Sequence, residues 1–242
     1  MTKIVVFRDE DSLSKAAAEL IVDISKHAIR ESGKFTIALS GGKTPSKLFS
    51  MLAEKPFNKE INWKQTYVFW GDERFVAANN SQNNSYVAKK ILLDNIPVPA
   101  ENIFPIPVNI PPAASANHYE QTLKAFFRSD NPSFDLILLG MGDDGHTASL
   151  FPGSTVLSEK AALVKEVYLE EQQVARITFT VPLINNAKHI LFLVTGKEKA
   201  GMLFKVLEGK ARPGKYPAKM IRAGKGKKIY WYADKAAASL IN

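Results

Sequence analysis

Short apolar runs alternate along the chain with segments whose apolar residues recur every three or four positions, the pattern of strands and helices in an α/β layer fold. The runs predict strands at Ile4–Phe7, Phe35–Ser40, Thr66–Gly71, Asp135–Gly140, Ala175–Val181, Ile190–Thr195 and Ile229–Tyr232. Between the first two, Leu13, Ala17, Leu20, Ile24 and Ala28 make one apolar stripe on a helix. Further helices are expected over Ser46–Ala53, Ser85–Leu93, Ala116–Phe127 and Glu198–Leu207, while the proline-rich stretch Ile96–Pro112 reads as an extended connection. No repeat, low-complexity tract or linker divides the chain. The expectation is therefore a single-domain layered α/β fold over residues 1–242, with a mostly parallel, Rossmann-like sheet flanked by helices.

Composition narrows the chemistry. A chain of 242 residues, 45% of them hydrophobic, can bury one sizeable core. There is no cysteine, which removes disulfides, thiolate nucleophiles and cysteine-ligated zinc, and favours a reducing compartment. The first apolar run, ending at Phe7, is too short for a signal-peptide core, and no stretch approaches the roughly 18 apolar residues of a membrane span, so the cytoplasm is the expected location. The net charge of +8 is spread out except between Lys205 and Lys228, where nine Lys/Arg face one acid, Glu208. Without interleaved aromatics or a reading helix this segment reads as a solvated basic surface, and no nucleic-acid partner is expected.

In sheets of this kind ligands bind beyond the C-terminal ends of the strands, so three strand-to-helix turns hold the candidate chemistry. The first, Ser40-Gly41-Gly42-Lys43-Thr44-Pro45, offers backbone N–H groups to an anion, with Thr44 expected to cap a helix that has Pro45 at its first position. It is not a nucleotide P-loop, because Ile37 stands where that motif needs a glycine. The second, Trp70-Gly71-Asp72-Glu73-Arg74, places three charges after an apolar strand. The third runs from Gly140 through Gly142, Asp143, Asp144, Gly145 and His146 to Pro152-Gly153. Its G-x-G-x-x-G spacing raises a dinucleotide site, with Glu166 near the offset of a ribose-binding acid. Pro152-Gly153, however, would interrupt the following helix after about two turns. His146 on a glycine loop, two residues after Asp144, has instead the parts of an oriented general base. His27, His118 and His189 have no comparable surroundings, and no ligand spacing suggests a metal.

Taken together, Leu39–Pro45 (LSGGKTP), Trp70–Arg74 (WGDER), Asn84 leading to Leu92-Leu93, Phe134–Pro152 (FDLILLGMGDDGHTASLFP), Arg176–Pro182 (RITFTVP) and Thr195–Ala200 (TGKEKA) resemble the 6-phosphogluconolactonase family, in one order through most of the chain. Asn83 departs from that pattern, which carries Ser before the Asn. The resemblance implies hydrolysis of 6-phospho-D-glucono-1,5-lactone to 6-phosphogluconate in the oxidative pentose phosphate pathway, with no cofactor or metal. It implies His146 as base, Asp144 as its orienting carboxylate, and Arg74 or glycine-loop N–H groups as donors to the developing oxyanion. For the phosphate and the rest of the substrate it implies Ser40, Gly41, Gly42, Lys43, Thr44, Asp72, Arg176 and Lys199. Two alternatives share the resemblance: a glucosamine-6-phosphate deaminase/isomerase and a non-catalytic sugar-phosphate-binding module. The deaminase pattern carries a glutamate after its histidine where this chain has Phe151. A regulator would need a DNA-reading domain for which no room lies upstream of Ile4.

Overall fold

A computed structural model describes residues 1–169 and 174–241. Among the described residues, ten strands and seven α-helices follow one another as β1 (Thr2–Phe7), α1 (Glu10–Ser32), β2 (Phe35–Leu39), α2 (Lys43–Ala53), α3 (Phe57–Glu60), β3 (Thr66–Trp70), β4 (Asp72–Arg74), α4 (Asn84–Ile91), β5 (Ile103–Phe104), α5 (Pro112–Phe127), β6 (Leu136–Leu139), β7 (Val164–Leu169), β8 (Val174–Phe179), α6 (Val181–Asn185), β9 (His189–Val194), α7 (Ala200–Leu207) and β10 (Lys228–Asp234). Seven strands form one sheet, in the order β1-β10-β9-β6-β2-β3-β5, and every pairing in it is parallel. Buried on both faces, its central strands are apolar almost throughout; all of Phe35–Leu39 and Leu136–Leu139 is buried. Among the described residues no helix is long and apolar enough to cross a membrane.

Local chemistry explains the longest element. Asp9 and Ser12 form a reciprocal capping box at the start of α1, and Gly33 ends the helix in the left-handed conformation at φ 72°. Its stripe of Leu13, Ala17, Ala18, Ile21, Ile24 and Ala28 is buried against the sheet. On the other flank Phe69, Phe104, Phe126, Phe127 and Phe134 meet ring to ring at centroid distances of 4.6 to 6.1 Å.

Four expectations change. Ala175–Val181 does not extend the parallel sheet: β8 is the central strand of a second, antiparallel sheet, β4-β8-β7. The chain passes between the sheets at Gly71, whose N–H donates to Leu39 O (2.9 Å) in the large sheet and whose carbonyl accepts from Phe179 N (2.8 Å) in the small one. The Ile96–Pro112 stretch contains β5, paired with Val68 and Phe69, because Ile103 and Phe104 fall between the prolines and keep their N–H groups. Helix α2 begins at Lys43 with Gly42 as its cap residue, so Thr44 lies inside the first turn. The segment directly after Gly145 is not helical; Thr147 and Leu150 close a tight turn, with Ala148 at φ 48° between them.

Candidate active site

The strand order reverses direction between β6 and β2. From β2 the chain proceeds outward to β3 and β5, and from β6 it proceeds the other way to β9 and β10. Loops leaving the C-terminal ends of two such strands diverge to opposite faces and leave a crevice, where open α/β sheets bind their ligands. The loops here are Ser40–Gly42 and Gly140–His146, and between them lies a cleft of about 340 Å³.

Of the residues singled out in the sequence, Ser40, Gly41, Gly42, Thr44, Asp72, Arg74, His146, Arg176 and Lys199 line this cleft. Lys43 does not: as the first residue of α2 it is exposed, and only its backbone belongs to the turn. Asp144 is not on the wall either but stands behind His146. Its Oδ1 accepts the His146 backbone N–H (3.0 Å) and lies 2.6 Å from the ring Nδ1. In the neutral imidazole, a proton on Nδ1 shared with this carboxylate leaves Nε2 as the acceptor. Gly142 makes the arrangement sterically possible, since a Cβ there would meet Cε1 and Nδ1 of His146 at 2.1 Å. The far face of the imidazole packs on Phe151, ring centroids 4.3 Å apart.

Part of the lining is cationic. Arg74 on β4 and Arg176 on β8 are cross-strand partners, so two like charges stand side by side. Burial, and then the charge of Arg74, press the Arg176 guanidinium below its ordinary value, partly offset by Asp72 and Glu73. Lys199 immediately precedes α7 and pairs with the exposed Asp143 at 2.5 Å. The first turn of α2 lines the same cleft and brings its positive end to it. Thr44 Oγ1 and Thr195 Oγ1, 2.7 Å apart, tie this turn to the end of β9. Asp72 is held by Ser149, whose hydroxyl donates to Oδ2 at 2.8 Å.

Asn84 went without a role in the sequence, although it too lines the cleft. Its neighbours Asn83 and Ser85 are equally polar, so nothing in the local pattern distinguishes it. Thr195, Met141 and Thr147 join the wall for the same reason of chain path. Among the described residues no group of three or more His, Asp or Glu is placed to hold a metal ion.

The model of the family described as glucosamine-6-phosphate isomerases/6-phosphogluconolactonase matches residues 8–231. A 6-phosphogluconolactonase of a Nostoc species is 39% identical over 238 residues, covering 97% of this chain and 96% of the relative. One from Haemophilus influenzae is 42% identical over 205 residues, 85% of this chain and 87% of the relative. The solved structure of 6-phosphogluconolactonase from Trypanosoma cruzi superimposes with a TM-score of 0.88 at 30% identity, over 100% of this chain and 97% of that one. A monomeric glucosamine-6-phosphate deaminase shares the fold at a TM-score of 0.83 with 22% identity, over 98% and 99% of the two chains. By its sequence and its fold, the chain belongs to the family of glucosamine-6-phosphate isomerases and 6-phosphogluconolactonases.

Proposed function

We propose that this protein hydrolyses 6-phospho-D-glucono-1,5-lactone to 6-phospho-D-gluconate in the oxidative pentose phosphate pathway, in the cytoplasm and without cofactor or metal, with His146 as general base. The observation that carries the reading is His146, held by Asp144 at 2.6 Å, in the lining of a cleft that also takes in a cationic pair and a helix N-terminus. His146 Nε2 takes a proton from water as the water oxygen bonds to the lactone carbonyl carbon. The same proton then passes to the ring oxygen as the ester C–O bond breaks, so the imidazole is regenerated. Asp144 stabilises the transient imidazolium. Arg176, Lys199 and the first N–H groups of α2 supply charge and donors to the phosphate. Arg74 and the glycine-loop N–H groups other than that of Gly142, which is bonded to His146 O, are the donors available to the carbonyl oxygen.

Deamination of glucosamine 6-phosphate has less support. Phe151 lies against His146 where the deaminase pattern carries a carboxylate, and a phenyl ring exchanges no proton. Both substrates assayed on one preparation separate the readings. Lactone hydrolysis, followed by trapping 6-phosphogluconate with its dehydrogenase and subtracting the spontaneous rate, is expected well above background, with no ammonia from glucosamine 6-phosphate. Robust ammonia release, with lactone hydrolysis at the spontaneous rate, would assign the deaminase reaction instead.

A further inference from the structure

Glu73 stands in β4 between two cleft residues, Asp72 and Arg74, with its side chain on the opposite face of the strand and fully buried. Its Oε1 accepts the backbone N–H groups of Arg74 (2.8 Å) and Asn84 (2.6 Å), and its Oε2 accepts that of Ser85 (2.8 Å). Asn84 and Ser85 open α4, whose first N–H groups have no partner within the helix. Yet α4 already has its own cap, since the Asn83 side chain accepts from Tyr86 N at 2.8 Å. The contribution of Glu73 is therefore less to form the helix than to fix where it starts relative to β4.

Asn84 carries that placement into the cleft. Its Nδ2 donates to Asp72 O (3.0 Å), and its Oδ1 accepts from Arg74 Nη1 (3.4 Å). The carboxamide is pressed so closely on Gly41 that a Cβ at residue 41 would meet Oδ1 at 2.0 Å. One side chain thus touches the glycine turn before α2, the backbone of Asp72 and the guanidinium of Arg74. A second Arg74 bond, from Nη1 to Gln82 O (3.0 Å), comes from the same loop before α4.

We propose that Glu73 is a positioning residue for the cleft: it anchors the start of α4, and through Asn84 sets Arg74 and the Gly41 turn in register with each other. The assignment rests on the lactonase reading for its consequence in turnover, but not for the geometry itself. Glu73→Gln keeps the shape of the side chain while replacing one acceptor oxygen by an N–H2 group, which opposes a backbone donor. It is expected to lower kcat/KM for the phosphorylated lactone on the order of 10²-fold, the scale on which a displacement near 1 Å acts. Asn84→Ala, which leaves the backbone bonds to Glu73 in place, is expected to cost as much, and the double variant no more than either single one.

Additive losses in the double variant, or a Glu73→Gln protein that melts earlier yet turns over normally, would overturn the assignment. Should Glu73→Gln fail to fold, full activity in Asn84→Ala would overturn it alone, because Glu73 would then have nothing to set in place. The geometric arm is independent of substrate. A crystal structure of Glu73→Gln is expected to show the Asn84 carboxamide and the Arg74 guanidinium displaced, and finding both unmoved would overturn the proposal whatever the enzyme hydrolyses. A wild-type protein inactive on the lactone would count against the functional reading alone.

Discussion

The backbone of Gly142 lies against the imidazole of His146, so close that a Cβ at residue 142 would stand 2.1 Å from ring atoms Cε1 and Nδ1. The same glycine donates its N–H to His146 O at 2.8 Å, closing the loop that presents the ring. Gly142→Ala meets a side chain rather than backbone, so the protein is expected to fold with the ring swung out of place. Turnover should fall by about 10²–10⁴-fold, the range of a lost general base, with little change in Tm. Steady-state kinetics beside a thermal melt check this; a kcat near the wild-type value would mean that the base is not held by this contact.

Asp144 makes two bonds to one residue, through the backbone N–H and the ring of His146. Asn retains an oxygen for the backbone bond but loses the charge that favours imidazolium. Asp144→Asn is therefore expected to fold, to keep its KM, and to lose on the order of 10²-fold or more in kcat. Unchanged kcat would leave Asp144 the role of a turn-forming residue only.

Removing the cations of the proposed phosphate site should separate two substrates. Arg176→Ala and Lys199→Ala each delete a charge-assisted contact, worth about 1.5–3 kcal/mol. That is roughly a ten- to hundred-fold rise in KM for the phosphorylated lactone, with hydrolysis of unphosphorylated gluconolactone unaffected. Equal losses on both lactones would place these residues at the reacting carbonyl instead.

Glu73 links the site to stability through pH. Burial raises its carboxyl from 4.5 to about 7, against three backbone N–H bonds that act in the other direction. The folded protein thus holds this proton more tightly than the unfolded chain. The resulting stabilisation is complete below pH 4.5 and is lost as pH rises through about 7. In urea unfolding, the stability difference between wild type and Glu73→Gln is expected to move against the wild type by on the order of 3 kcal/mol across that interval. A difference that does not vary with pH would show an ordinary carboxylate at this position.

The alternation of apolar runs and helical stripes was enough to locate the strands of the large sheet apart from β5, because its central strands, buried on both faces, must be apolar along their length and a covering helix must be amphipathic, while the largely exposed edge strand β1 keeps a short apolar run. The glycine loops, and His146 as a candidate beside them, were equally legible, since close backbone approach demands glycine and a titratable ring on such a loop stands out. What stayed hidden depends on contacts between distant segments. β4 and β5 have only three and two residues, too few for any period to register, and they exist because a neighbouring strand pairs with them. β8 has the composition of a core strand, and only its antiparallel partners place it in the second sheet. The switch point between β6 and β2, the Arg74–Arg176 pair and the Asn84 bridge to Gly41 join residues tens of positions apart, and local pattern carries no record of such proximity. The types of the candidate groups are thus written in the chain, while their common address is set by the order in which the strands pack.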